Sequence, residues 1–405
     1  MTGENRGCAE ARRKGAFETE KKNQPSLPPA LSLSFSFSSL SRDLKRAHRD
    51  RAAWLRRQQE PKLKGDPLVR EIASRLVDRL GDCSPLLSSR FRRVLLLGAE
   101  PAVLDFLAGA AAPELRSAVE EITVVDSSRG RLDLLEEERQ RRDEERSAKA
   151  GGGGGGPPPS SSPPPLPPPR PPPRLRLVHA DEETYAPAPS TFDVALSCGG
   201  LHWVNDLPGL LSRVRRSLAP GHGVFLAAVP GGDTLHELRR ALARAEMDVA
   251  GGVSARVSPM IRMRDAGSLL GRAGFLVPGV DVDEIVVRYG SFDGAVAHLR
   301  ALGESNAVRR RDSGPMRRAV AEAAGREFAR ICGAEAEAER AAGAGEEGAG
   351  RVFKSTFEIF FLTGWAPPPA GEEGPRAAAR GSATVSFREL AEATRKHASA
   401  AAEEK

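Results

Sequence analysis

Apolar residues gather in this chain as short unbroken runs, separated by stretches whose apolar positions recur at helical spacing. Residues 94–97 form a wholly apolar first run, followed by Gly98 and a helix from about 102 to 111. Residues 122–125 form a second run that closes on Asp126, and residues 175–179 a third that closes on Ala180 and Asp181. Residues 192–197 make a fourth. The stretch 207–218 then places Leu207, Leu210, Leu211, Val214 and Leu218 on one face of a helix. Ala219, Pro220, Gly221, His222 and Gly223 stop it, because proline cannot continue a helix and glycine tolerates the left-handed turn. Residues 224–229 are apolar again, as a strand covered on both faces should be. Strand, loop, helix, turn and strand in that order require a right-handed crossover and a parallel sheet. Ligands then belong at the carboxyl ends of the strands, where the loop 198–206 lies.

Residues 44–57 and 68–80 are helical by pattern, the second through Leu68, Ile72, Leu76 and Leu80. Further on, Asp233 is placed to cap a helix running to about Glu246. Residues 267–275 read as a helix ending at Gly274, and residues 280–289 alternate as a sixth strand. A helical excursion precedes residues 353–364, whose Phe, Thr and Ile predict the last strand. Residues 134–148 alternate arginine with acids, the signature of a solvated helix face.

Composition changes this picture in three ways. Residues 151–173 read GGGGGGPPPSSSPPPLPPPRPPP, a polyglycine hinge and polyproline rod that cannot pack, and residues 333–350 read as a linker or fraying helix. One domain of ordinary size therefore remains from 405 residues. The net charge of +6 is modest and no basic patch interleaves with aromatics, so no nucleic-acid partner is expected. Cys8, Cys83, Cys198 and Cys332 lie far apart, which predicts neither a zinc site nor a disulfide framework and fits a reducing compartment. The sequence holds no apolar run long enough for a membrane span. Residues 21–42 lack acids and are rich in Ser, Leu and Phe, which predicts a mitochondrial transit segment.

Phe192, Asp193, Leu201, His202, Trp203, Asp206, Pro220 and Gly223 stand where an FDxVxSxxxLHWxxD…LxPGGxF pattern asks for them. The block resembles the fourth and fifth strands of class I S-adenosylmethionine-dependent methyltransferases. Its His-Trp variant narrows the resemblance to malonyl-carrier-protein methyltransferases and to the mitochondrial complex I assembly factor/arginine hydroxylase family. Residues 41–54, 231–239, 303–306 and 380–387 are similar to further signatures of the second group. The resemblance implies an α/β, Rossmann-like class I methyltransferase fold: a seven-stranded doubly wound sheet with N-terminal helices and a helical insert before the last strand. That strand would run antiparallel between strands five and six. The expected organisation is a transit or disordered segment at 1–40, N-terminal helices at 41–90, and the methyltransferase-like domain at 91–290 with its insert at 149–174. A helical insert and linker at 291–350, a last strand with signature at 351–388 and a tail at 389–405 complete it.

The same resemblance implies S-adenosyl-L-methionine as cofactor and hydroxylation of an arginine in a complex I peripheral-arm subunit. The setting would be the matrix side of the mitochondrial inner membrane, with peripheral association. The alternatives are a malonyl-carrier-protein-like O-methyltransferase and a non-catalytic assembly chaperone with a degraded cofactor site. In the family, a glycine turn after strand one admits the cofactor, an acid ending strand two takes the ribose, and an acid after strand three takes the adenine. These features map to Gly98, Asp126 and Asp181, with Glu182 as a neighbour of the last. The family's D-x-G-x-G-x-G is here Leu96, Leu97, Gly98, Ala99, Glu100, Pro101 and Ala102, so only Gly98 stands. Glu100 either accepts the cofactor ammonium or weakens binding. Asp126 and Asp181 have alternative uses as caps.

His202, Trp203 and Asp233 are the candidate substrate-pocket residues. Trp203 offers an aromatic face to a guanidinium, and His202 is a general base or a backbone-bonded core histidine. Asp206 before Leu207 and Pro208 reads as a helix N-cap. Asp233 and Glu237, one helical turn apart, could clamp an arginine. No metal ligands and no nucleophile are assigned, and the catalytic residues stay unassigned.

Overall fold

A computed structural model describes residues 65–83, 91–108, 118–151, 173–258, 260–304, 316–341, 353–372 and 374. The transit segment, the helix at 44–57, the Gly/Pro insert from 152 to 172 and the signature at 380–387 lie outside the described residues. The described elements begin with α1 (Pro67–Cys83), β1 (Arg93–Leu97), α2 (Pro101–Ala108), β2 (Glu121–Asp126), α3 (Arg129–Gly151) and β3 (Arg174–His179). Next come β4 (Val194–Cys198), a 3-10 turn (Leu201–Trp203), α4 (Leu207–Ser217), β5 (Val224–Pro230) and α5 (His236–Ala250). The chain continues through α6 (Met263–Ala273), β6 (Leu276–Tyr289), α7 (Phe292–Leu302), α8 (Arg318–Ala341) and β7 (Phe353–Trp365).

The seven strands form one sheet in the order β3-β2-β1-β4-β5-β7-β6. The first five are mutually parallel, and β7 runs antiparallel to both β5 and β6. This is the class I methyltransferase topology. The strand order reverses between β1 and β4, and the loops leaving them diverge to open a crevice at that switch point.

Period-2 alternation divides the apolar runs between two cores. Val94, Leu96, Val124, Leu196 and Leu226 face α1, α2, α5, α7 and α8. Leu95, Leu97, Ala195, Phe225 and Ala227 face α4 and α6. Because both faces are covered, β4 is buried throughout, which is why its sequence reads as an unbroken apolar run. Asp193 serves the sheet directly: its Oδ2 accepts from the backbone N–H groups of Arg92 (3.0 Å) and Arg93 (2.8 Å), locking β1 beside β4.

The helix α4 starts as its sequence predicts, with Asp206 accepting from Gly209 N–H at 2.9 Å and Pro208 in its first turn. Two elements depart from expectation. β6 begins at Leu276 rather than 280, through an irregularity between Leu276 and Gly279 with Val277 at φ +47°. Pro278 is tolerated because β6 is the edge strand, where a missing N–H breaks no ladder. Asp233 does not cap α5; the N-cap is Leu235 at φ +56°, with no side-chain cap bond. The stretch from 333, read as a linker or a fraying helix, is helical as far as Ala341, within α8.

Candidate active site at the switch point

The turn after β1 is built for close approach. Gly98 has φ +90°, a conformation that disfavours any side chain, and nothing lies within 4 Å of where a Cβ would stand. Its N–H donates to Val125 C=O at 2.8 Å, tying the turn to β2. Next to it Glu100 is buried yet lines a cavity of about 420 Å³ at the carboxyl ends of β1, β4 and β5. Arg131, one turn into α3, also lines that cavity. Its guanidinium donates to Ala99 C=O (3.0 and 2.7 Å) and to Glu100 Oε2 (3.1 Å), and its Nε stands 3.4 Å from Asp126 Oδ2.

Asp126 is fully buried and turned inward, away from the cavity wall. Its Oδ2 accepts from Ala99 N–H and its Oδ1 from Ser128 N–H, both at 2.7 Å. Of the two roles read from sequence, this geometry serves the local one: the carboxylate braces the glycine turn and the start of α3. Ser128 Oγ accepts from Arg131 N–H at 3.3 Å and so helps place Arg131.

Asp181 lies half-buried on the loop after β3, where its Oδ1 accepts from Glu183 N–H at 2.9 Å and closes a turn. Glu182 is buried beside it. Neither lines the cavity. Glu183 instead ties this loop to the rim of β4, accepting from Asn205 N–H (3.1 Å), Asn205 Nδ2 (3.0 Å) and Asp206 N–H (3.2 Å).

The loop after β4 turns through Gly199, at φ +63°, into the 3-10 turn that carries His202 and Trp203. His202 lines the cavity and is buried, with 7 % exposure. Its Nε2 lies 2.9 Å from Glu304 Oε2, and Trp203 Nε1 donates to Glu304 Oε1 at 3.4 Å. The expected backbone partner is therefore replaced by a carboxylate. His202 Nδ1 is buried and has no hydrogen-bond partner among the described residues. Trp203 packs behind His202, its ring centroid 5.1 Å away, and does not line the cavity. Glu304 follows Gly303, the C-cap of α7, and its N–H returns to Leu299 C=O at 2.8 Å.

Asp233 is exposed, stands apart from the cavity lining, and uses its backbone N–H on Glu358 Oε2 at 2.9 Å. Glu237 is fully buried, its Oε1 and Oε2 each 3.1 Å from Thr356 N–H. Burial thus takes Glu237 out of the arginine clamp imagined for this pair.

The cavity is divided in character. Glu100, Arg131, Arg300 and Glu304 supply charge and His202 an imidazole, while Leu68 and Ile72 of α1, Leu238 of α5, and Phe292 and Leu299 of α7 supply an apolar wall. Arg256 also lines it, its Nε held 2.7 Å from Glu246 Oε1. Among the described residues, no three His, Cys, Asp or Glu side chains gather as a metal site. Sequence reasoning missed Arg131 and Glu304. The signal for Arg131 was its place one turn beyond a strand-ending acid, and for Glu304 the motif Gly303-Glu304-Ser305-Asn306.

Residues 160–226 match the family model described as a methyltransferase domain. The chain is 37% identical over 213 residues to "Arginine-hydroxylase NDUFAF5, mitochondrial" of Danio rerio, covering 53% of this chain and 60% of that protein. The protein of the same name from Homo sapiens is 40% identical over 215 residues, covering 53% of this chain and 56% of its own length. A "Malonyl-[acyl-carrier protein] O-methyltransferase" of Xylella fastidiosa (strain M23) is 34% identical over 137 residues, covering 34% of this chain and 44% of that enzyme. The match thus spans somewhat over half the length of the curated hydroxylases. The chain has the class I methyltransferase topology and is similar over about half its length to mitochondrial arginine hydroxylases built on a methyltransferase-type domain.

Proposed function

We propose that this chain is a mitochondrial S-adenosyl-L-methionine-binding protein that hydroxylates an arginine side chain of a complex I peripheral-arm subunit during assembly. It acts on the matrix side of the inner membrane, associating peripherally; no described helix is long and apolar enough to cross a membrane. The observation that carries this reading is the site itself. His202 and Glu304 meet at the carboxyl end of β4, on a cavity whose charged floor and apolar wall suit a cationic head on a methylene stem. The hydroxylase relatives match more of this chain, at 53%, than the carrier-protein methyltransferase does, at 34%.

The residues present suit the cofactor's amino-acid end. Gly98 leaves open space for it, and Glu100 and Arg131 offer opposite charges to its ammonium and carboxylate. When bound, it brings a sulfonium cation into the cavity. Asp126 acts at one remove, holding Arg131 and the turn in place. Asp181 and Glu182 remain our assignment for the adenine end.

The test has two readouts. S-adenosylmethionine titrated into purified protein should give a calorimetric heat. Intact-mass spectra of complex I subunits from cells with and without the protein should differ by one oxygen atom on one peripheral-arm subunit. A difference of one methylene would favour carrier-type methyl transfer instead. Unchanged masses with normal complex I assembly would overturn the reading.

A further inference from the structure

We infer that residues 251–258 form a strap along one side of the cavity that opens to admit a guest, and that Glu246 is the latch that keeps it closed. This concerns how the site is reached, and it holds whatever the guest is.

Residues 251–258 form neither helix nor strand, and none of them is buried. The strap starts at Gly251, the C-cap of α5 at φ +71°. Gly252 follows, exposed, with nothing within 4 Å of where a Cβ would stand. Two such glycines absorb a backbone rotation at little steric cost. The far end is fixed beyond Met260, where Ile261 forms a bridge with Gly231, just after β5. Between these anchors Ala255, Arg256, Val257 and Ser258 line the cavity. Val257 packs against the first core, whereas Val253 is exposed. A wall with so little apolar burial depends on its polar contacts to stay in place.

Glu246, near the end of α5, supplies those contacts. Its carboxylate is buried and accepts from Ser254 N–H at 2.6 Å and from Arg256 Nε at 2.7 Å. The Ser254 hydroxyl lies 2.7 Å from both of its oxygens. Burial pushes this carboxyl up, but the bonds from Ser254 and Arg256 outweigh it and hold it below the usual glutamate range. The latch is therefore charged at neutral pH, and its bonds are of the stronger, charge-assisted kind. All three donors belong to the strap and meet one acceptor on the helix. A rotation about Gly251 and Gly252 thus makes or breaks them together. Opening uncovers the apolar wall at Leu238 and Leu242, and closing shuts water out around a bound guest.

The test reads entry to the cavity from Cys198, the last residue of β4, which is buried and lines it. Cys332 of α8 is the control. It is buried, lies outside the cavity lining, and its Sγ accepts from Lys354 N–H at 3.3 Å. The purified full chain is treated with N-ethylmaleimide, and labelling of each cysteine is followed by peptide mass spectrometry. Glu246→Gln keeps the shape of the latch but turns an amide donor toward the donors of the strap. It should speed labelling of Cys198 about tenfold or more and leave Cys332 unchanged. Gly252→Ala has room for its methyl group and stiffens the hinge, so it should slow labelling of Cys198 roughly threefold. Amide hydrogen exchange over residues 251–258 should rise in the first variant and fall in the second. Equal labelling of Cys198 in wild type and Glu246→Gln would place the entrance elsewhere and overturn the inference. Acceleration at Cys198 and Cys332 together would show general loosening and overturn it too. Gly252→Ala acts in the opposite direction, so a Glu246→Gln protein that fails to fold does not spoil the test. Labelling of Cys198 unslowed in Gly252→Ala overturns the inference by itself.

Discussion

The least conventional residue of the turn after β1 is Glu100, a carboxylate where the family pattern asks for glycine. It is accommodated because Arg131 reaches it while also standing 3.4 Å from Asp126, so two buried carboxylates share one guanidinium. Removing one partner of such a cluster strands the others, at a cost of about 3–5 kcal/mol. Arg131→Met should therefore lower the urea midpoint by that equivalent, and Glu100→Gln by less, since Arg131 keeps Ala99 C=O and Asp126. Equal stability of Arg131→Met and the parent would show that the cluster is not energetically coupled. At this scale the sequence is half legible. Gly98, Asp126 and Asp181 can be placed at strand ends from the apolar runs alone, but a side chain's direction cannot. Asp126 turns inward because the N–H groups of Ala99 and Ser128 converge on it, and that convergence exists only once β1 and β2 are paired. Glu304 was illegible as a site residue for a similar reason: its partner lies on another loop, reached through the packing of α7.

At the scale of elements, two of the helices that wall the cavity, α1 and α7, are joined by one hydrogen-bonded chain. Asp66 caps α1, its Oδ1 accepting from Leu68 N–H (2.9 Å) and Val69 N–H (3.3 Å). Its Oδ2 lies 2.6 Å from His298 Nε2 on α7, and His298 Nδ1 lies 2.6 Å from the Tyr289 hydroxyl at the end of β6. Burial pushes the Asp66 carboxyl upward, but the His298 contact and the two cap bonds outweigh it and hold it below the usual aspartate range. Burial also pushes the Tyr289 phenol up. A depressed carboxyl stabilises the fold above its unfolded pKa and ceases to as pH falls through the folded value. Asp66→Ala should thus cost about 2 kcal/mol near neutral pH, from a lost cap and a lost charged hydrogen bond. The gap from wild type should close in acid, below the ordinary aspartate range, when both are unfolded by urea across pH. A gap that stayed constant into acid would refute the coupling. The elements themselves were largely readable, β4–α4–β5 best of all, because burial on both faces leaves so few polar interruptions. Where reading failed, local chemistry misled it. Pro278 and Gly279 look like a break yet sit inside an edge strand, and Asp233 looks like a cap yet precedes a start made by Leu235 in the left-handed region.

For the whole molecule, the decisive feature is that the sheet keeps its order across a connection that no packed core can explain. α3 ends at Gly151 and β3 begins at Arg174, and the residues between are polyglycine and polyproline. The pairing of β3 with β2 nevertheless runs unbroken over six residue pairs, from Glu121 with Arg174 to Asp126 with His179. What holds β3 is therefore its ladder, together with Leu175 and Leu177 packed against the first core and Val178 against the second. β3 is also one of the two edge strands. Loop closure depends only logarithmically on length, with each doubling costing about 0.6 kcal/mol. Replacing residues 152–172 by a Gly/Ser linker of half that length should then leave the unfolding free energy within about 1 kcal/mol of the parent, as read by urea titration. A larger loss would mean that the sheet depends on the insert after all. Unchanged stability with loss of the proposed oxygen addition would point elsewhere: the polyproline would be a recognition element for a partner.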